Sequence, residues 1–382
     1  MKKLRRITMK KLTALVLTFA MVLGLAACGG GNGAPTSTPG PGNSTGGDKT
    51  YSLKVAGIDG SITLFPVYVA QEKGWFDEAS LDIERLGFTN GPVTMEAIDT
   101  WDISVTGVGG VLSGLISYDA VLLGTVGTDD GTQYLFVRPD SKVAAAGKGH
   151  NSINQEIIGD AESWKGMSVN STYGTVLHYL LLKTLSGFGL TIDDVVVNWM
   201  DMPTANASFL AGEGDATCVS GEVSFKQDKD EFVVASTGPL ADLGLQTNFV
   251  ANPTAIKNSE TREAMKVFLQ VFFRATDWIT ANPEEATDYM IKWCEYAGNT
   301  IDEEVAALYC TVDPYYTLED NYNALHEEAH DGGDYCRIQE QILGVLNFFI
   351  ETESYQAGDD ELFLKEGHLD TSLIDELYGA SK

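Results

Sequence analysis

Basic residues are scarce in this chain: 25 Lys and Arg stand against 54 Asp and Glu, a formal charge of −29 over 382 residues. Such a surface repels polyanions, so nucleic acid is not an expected partner. Histidine and cysteine are scarcer still, at five each. No two cysteines stand in the C-x-x-C spacing that metal or dithiol redox sites use, and no cofactor is expected. Cys218, Cys294, Cys310 and Cys336 allow three pairings, and the sequence leaves both free thiols and a Cys294–Cys310 bridge open. A bilayer-spanning helix needs roughly twenty apolar residues in a row, and the apolar run over 12–27 is shorter. The glycines of 107–114 lack the G-x-G-x-x-G spacing, which removes a dinucleotide fingerprint, and no repeat of solenoid length is present.

At the N-terminus, Lys2, Lys3, Arg5, Arg6, Lys10 and Lys11 precede the apolar run, which ends in Leu25-Ala26-Ala27-Cys28. A basic segment, an apolar segment and small residues read as a secretory leader over 1–27. The last four residues resemble the bacterial lipobox, which implies a Cys28 that is lipidated and anchors the exported chain to the membrane. Residues 29–49 are nearly all Gly, Pro, Ser, Thr and Asn, too polar to offset the entropy of ordering, so 28–50 is expected to be a flexible tether. The expected location is the extracytoplasmic face of a cell membrane, in a Gram-positive-type bacterium.

From Tyr51 the pattern alternates. Strands are expected at 52–57, 81–86, 102–105, 120–126 and 134–138, with helices at 66–73, 91–98 and 108–117 between them. A second block has strands at 167–169, 195–199 and 216–219 with helices at 175–185 and 204–211. Alternation of this kind argues for α/β blocks, each a mostly parallel sheet covered by helices. After Asn252 the pattern is helical: 259–281, 283–297, 302–311, 318–330 and 337–353. Two lobes follow, with 51–138 and 246–382 as the first and 139–245 as the second.

In open parallel sheets ligands sit beyond the carboxyl ends of the strands, where helix N-termini offer free N–H groups. The polar, Gly-rich turns expected there are Asp59-Gly60-Ser61, Thr106-Gly107-Val108-Gly109-Gly110, Ser171-Thr172-Tyr173-Gly174-Thr175 and Ser220-Gly221-Glu222, with Asp201 at the end of another strand. The candidate ligand-binding residues are therefore Asp59, Ser61, Thr106, Gly107, Val108, Ser171, Tyr173, Gly174, Thr175, Asp201 and Glu222. Tyr173 and Trp199 are candidate stacking partners. A different chemistry is suggested by His326-Glu327-Glu328-Ala329-His330, a literal H-E-x-x-H. On a helix its two imidazoles would share one face as zinc ligands, with Glu327 as general base and Gly333 and Cys336 in the places of a longer motif. A zinc-dependent hydrolase is the alternative reading.

One stretch carries a family resemblance. Pro66 to Asp77 (PVYVAQEKGWFD), followed by Leu81-Asp82-Ile83-Glu84, resembles the substrate-binding proteins of bacterial ABC importers for nitrate, taurine, alkanesulfonates and thiamine-precursor pyrimidines. Asp102 to Gly107, Trp164 to Val169, Ala211 to Ala216 and Gly367 to Asp375 resemble the same family in the same order. The resemblance implies a two-lobed type-2 periplasmic-binding-protein fold with two crossover segments and a helical C-terminal tail. It further implies a non-enzymatic monomer that clamps a small solute and hands it to a permease and its ATPase. This chain departs from the family in carrying Ser220-Gly221-Glu222 where many members have an aromatic-acid-proline turn. Arg and Lys are absent from all the turns named above. With Asp59, Asp201 and Glu222 at the cleft, the expected solute carries an amine or is a neutral heteroaromatic.

Overall fold

The computed structural model describes residues 50–382. The leader, Cys28 and all of the tether but its last residue lie outside the described residues. Ten strands form two five-stranded sheets. In the first, β1 (Tyr51–Ile58) lies between β2 (Leu81–Phe88) and β3 (Ile103–Gly107), all parallel, and β4 (Val121–Thr128) stands at the far edge. The second contains β5 (Tyr134–Val137), β6 (Ser168–Ser171), β7 (Val196–Trp199), β8 (Ala216–Val219) and β9 (Val233–Thr237) in the order β7-β6-β8-β5-β9. The remaining strand, β10 (Gln246–Ala251), returns to the first sheet and inserts antiparallel between β3 and β4.

In each sheet four strands thus run the same way and one, β10 or β5, runs antiparallel, fed from the other sheet. Residues 129–133 carry the chain from β4 to β5, and 238–245 bring it back from β9 to β10. The sequence reading grouped 134–138 with the first block. The strand instead pairs antiparallel with β8 and β9, Leu135 opposite Cys218 and Ser236, and so belongs to the second sheet. An apolar strand looks alike in either sheet, because its partner is a long-range choice.

Helices cover both sheets. Phe65–Glu72 opens on Pro66, whose fixed φ suits a first helical turn and whose missing N–H is not needed there. The long helix Ser259–Ala281 starts at Asn258, whose side chain accepts from the amides of Glu260 and Thr261. Phe268, Phe272, Ala275 and Ile279 follow at three- and four-residue steps and are buried. Phe272 meets Phe249 of β10 edge-on at 4.9 Å, and Phe268 stacks on Phe76 at 6.1 Å. Full burial of such a ring contributes roughly 1.5–3 kcal/mol.

The C-terminal region is helical, as expected, and touches both halves. In Arg337–Glu351, Phe349 lies 5.5 Å from His178 and 5.4 Å from Tyr179, on the helix that follows β6. The same helix places Gln341 against Gln246, where the second crossover ends. No helix among the described residues is long and apolar enough to cross a membrane.

Candidate functional site

A cavity of about 440 Å³ lies where the carboxyl ends of both sets of parallel strands converge. Asp59, Gly60 and Ser61 reach it from the end of β1, Asn90 to Pro92 from β2, and Gly107, Gly109 and Gly110 from β3. Thr172 and Thr175 reach it from β6, Asp201 from β7, and Ser220 to Glu222 from β8. The first crossover adds Asp129, Thr132 and Gln133, and the helical tail adds Asn299 and Tyr309.

Six of the residues proposed from the sequence therefore line one cavity: Asp59, Ser61, Gly107, Thr175, Asp201 and Glu222. The other five lie around it. Thr106 is buried beneath Gly91 and Gly110, where either glycine's missing Cβ leaves room for its Oγ1. Val108 is buried on the far side, beside Leu245 and Ile342. Ser171 is buried, and its hydroxyl has no hydrogen-bond partner among the described residues. Gly174 adjoins the lining residues Pro92 and Gly109. Tyr173 is 58% exposed and points away, its hydroxyl donating to the Ser354 carbonyl at 3.5 Å. Its ring meets Trp199 and His178 instead, at 5.3 and 5.1 Å, so the expected stacking on Tyr173 or Trp199 is not built into this cavity.

The lining turns are fixed by local chemistry. Asn90, Thr175 and Asp201 are N-caps, accepting from the amides of Val93, Leu177 and Thr204 at 3.0, 3.3 and 3.0 Å. The Thr204 bonds hold the Asp201 carboxyl below the usual carboxylate range. Asp201→Ala is expected to lower stability by about 1 kcal/mol, the ordinary worth of a cap, in chemical denaturation. Gly174 has φ +69°, a left-handed value that favours glycine, and its amide donates to His178 Nδ1 at 3.4 Å. Burial lowers His178 to about 4, so the imidazole is neutral and able to accept near pH 7.

The two halves touch at a seam beside the cavity. A Cβ on Gly109, in the helix Val108–Tyr118 after β3, would fall on the Gly174 carbonyl oxygen after β6. The loop Asp59 to Thr63 is pinned from the tail: Trp293 Nε1 donates to the Ser61 carbonyl at 2.8 Å, and the Ile62 amide donates to the Tyr309 hydroxyl at 3.1 Å.

The charged groups lining the cavity are all acidic. Among the described residues that line it there are Asp59, Asp129, Asp201 and Glu222, and no Lys, Arg or His. Burial raises the Glu222 carboxyl. Burial and the neighbouring Asp313 carboxyl push Asp129 well above its ordinary value.

The turn after β2 obeys the same strand-to-helix rule as the others, and Asn90 before Gly91-Pro92 is a readable cap signal that the sequence reading passed over. Asp129, Gln133 and Tyr309 carried no local signal, since only the crossover and the tail bring them here.

The H-E-x-x-H segment is not helical throughout. The helix Leu318–His326 ends at its first histidine, and Glu327 leaves it in an extended conformation with ψ 130°. His326 Nε2 bonds Asp375 at 2.6 Å, whereas His330 Nε2 bonds Glu327 at 3.1 Å. The shared helical face that the zinc reading required does not form. Cys336 instead caps the next helix, and among the described residues no group of three or more His, Cys, Asp or Glu is placed to hold a metal.

Comparisons with known proteins agree with this arrangement. Residues 150–286 match the model of the family described as NMT1/THI5 like. A protein of Brachyspira hyodysenteriae named as an ABC transporter periplasmic binding protein is 24% identical over 371 residues, 97% of this chain and 98% of its own. A binding protein of Brucella abortus is 26% identical over 243 residues, 62% of this chain and 69% of its own. Among solved structures, the nitrate-binding protein NrtA from Synechocystis aligns with TM-score 0.64 and 13% identity, covering 87% of this chain and 89% of its own. The aliphatic sulphonate binding protein SsuA from Escherichia coli aligns with TM-score 0.60 and 18% identity, covering 82% and 92%. These likenesses establish the periplasmic-binding-protein fold, and the likeness to the NMT1/THI5-like family is carried by residues 150–286.

Proposed function

We propose that this protein captures one small organic solute between its two lobes and delivers it to an ABC permease and its ATPase, without chemical change. The solute is sought among sulfonates and taurine, pyrimidines and related nitrogenous compounds. The observation that carries the reading is the cavity itself: of ligand size, a largely apolar lining set with polar turns, and walled by strand ends of both sheets. The lobes are 51–133 with 246–382, and 134–245, which takes in the strand Tyr134–Val137, and the protein works as a monomer. Lipidated Cys28 and the tether keep this receptor within reach of the permease at the extracytoplasmic face, which raises its local concentration there. Lobe closure about 129–133 and 238–245 commits the solute.

The seam at Gly109 supplies a test. Alanine normally favours a helix by about 0.8–1.0 kcal/mol over glycine, so Gly109→Ala should leave stability unchanged or slightly raised. Its methyl group would strike Gly174 and prop the lobes apart. A thermal-shift screen against sulfonates, amines, pyrimidines and oxyanions should find a stabilising solute, since binding to the folded state raises apparent stability. Gly109→Ala should weaken that solute's affinity at least tenfold. An equal affinity in the variant would argue against closure at this seam.

A further inference from the structure

We infer that the cavity selects for positive charge, taking a solute with a protonated amine or amidine-type group and rejecting simple oxyanions, with Glu222 reading the charge. The inference rests on the solute-binding reading. Its first support is the inventory of charges: four carboxyl groups line the cavity and no basic side chain is among the described residues that do so.

The second support is independent and concerns acceptors. Gln133 is 1% exposed and lines the cavity. Its Nε2 donates to Asp129 Oδ1 at 3.3 Å, and its Oε1 has no partner among the described residues. The Oγ1 of Thr172, another lining residue and 8% exposed, is likewise unpartnered. A buried acceptor left without a donor costs about 1–3 kcal/mol, and a donor-rich solute would relieve that cost. An oxyanion offers no donor to Gln133 Oε1.

The third concerns the helix N-termini, the usual holders of anions. At three of them the protein's own side chain already takes an amide: Asn90, Thr175 and Asp201. At a fourth, the helix Val108–Tyr118, the N-cap Gly107 has no side chain, and the Asp129 side chain lies beside it; at a fifth, the short helix Glu222–Lys226, the N-cap is Gly221 and the first residue is Glu222 itself. The Asp129 side chain occupies the place beside the Gly107 terminus, and Glu222 the one at Gly221.

Glu222 is 6% exposed and lines the cavity, and its carboxyl oxygens offer lone pairs to a solute. A hydrogen bond between two charged groups in such a site is about twice as strong as a neutral one.

The test is a calorimetric titration of the whole protein with benzylamine, benzyl alcohol and phenylmethanesulfonate, which share a ring and differ in head-group charge. It is backed by a thermal-shift panel of primary, quaternary and amidine cations with neutral and anionic isosteres of each. The expected result is binding of cations, in the order amine, alcohol, sulfonate. Glu222→Gln should weaken the preferred cation about 10- to 100-fold and leave the neutral isostere within about threefold. A neutral or anionic isostere that binds as tightly as its cation would overturn the charge inference and leave solute binding standing. The same holds for a cation preference that survives Glu222→Gln, as regards the role of Glu222. A panel in which nothing of any charge binds would instead overturn the solute-binding reading.

Discussion

Trp293→Ala is expected to lower the unfolding free energy by about 3–5 kcal/mol, the usual cost of deleting a buried tryptophan. Trp293 is fully buried on the helix Pro283–Tyr296, stacked on Tyr68 at 5.2 Å and on Tyr296 at 5.6 Å. The Arg85 guanidinium lies 4.8 Å from its ring, adding a cation–π contact. The indole N–H donates to the Ser61 carbonyl, so the same side chain that fills the core also fixes a loop of the cavity wall. Urea denaturation should show the lost stability, and the affinity for the preferred solute should fall with it. Trp293→Phe separates the two roles. It keeps a ring in the stack and removes the hydrogen bond, so its stability should fall by only about 1–2 kcal/mol while the loop still loosens. An alanine variant within 1 kcal/mol of the parent would mean that the tail does not brace this loop.

What the sequence made legible was whatever depends on neighbours along the chain. The helix Ser259–Ala281 coincides with the expected one because its cap and its apolar steps are local. The turns after β1, β3, β6 and β8 were found because Gly and polar residues must follow a strand that feeds a helix, and each of the four contributes lining residues. Where partners are distant, the reading went astray. The strand Tyr134–Val137 looked like the end of the first block, yet its hydrogen bonds lie with β8 and β9. His326 to His330 has good helix formers, but the helix stops where His326 meets Asp375, and a bridge pairs Glu328 with Cys336. Asp129 and Gln133 enter the site only because a crossover passes between two sheets, a fact no short window of residues contains.

The crossover also holds the second large effect, at Asp313 in the helical tail. Its Oδ1 accepts from the backbone amides of Asp130 and Gly131 at 3.2 and 2.9 Å, and from Thr128 Oγ1 at 3.4 Å, while its Oδ2 is buried without a partner among the described residues. Removing the acceptor strands two amides at the hinge, so Asp313→Ala should cost about 2–5 kcal/mol. Ionisation works the other way. Burial, with the Asp130 carboxyl nearby, raises Asp313 to about 6, and Asp129 and Tyr315 are its other titratable neighbours. An unfolded Asp titrates near 3.9, so the folded form holds this proton more tightly than the unfolded form. The group therefore favours folding fully below about pH 4, and that contribution is lost as the pH rises through about 6. Two pKa units correspond to about 3 kcal/mol at most, and Asp129 adds an effect of the same sign. Melting temperature should accordingly be higher at pH 5 than at pH 7.5. Asp313→Asn keeps an oxygen for the two amides and removes the ionisation, so it should melt several degrees above the parent at pH 7.5 and show a flatter pH profile. A profile as steep as the parent's would place the titration elsewhere. An alanine variant as stable as the asparagine one would show that the hinge amides do not need their carboxylate oxygen.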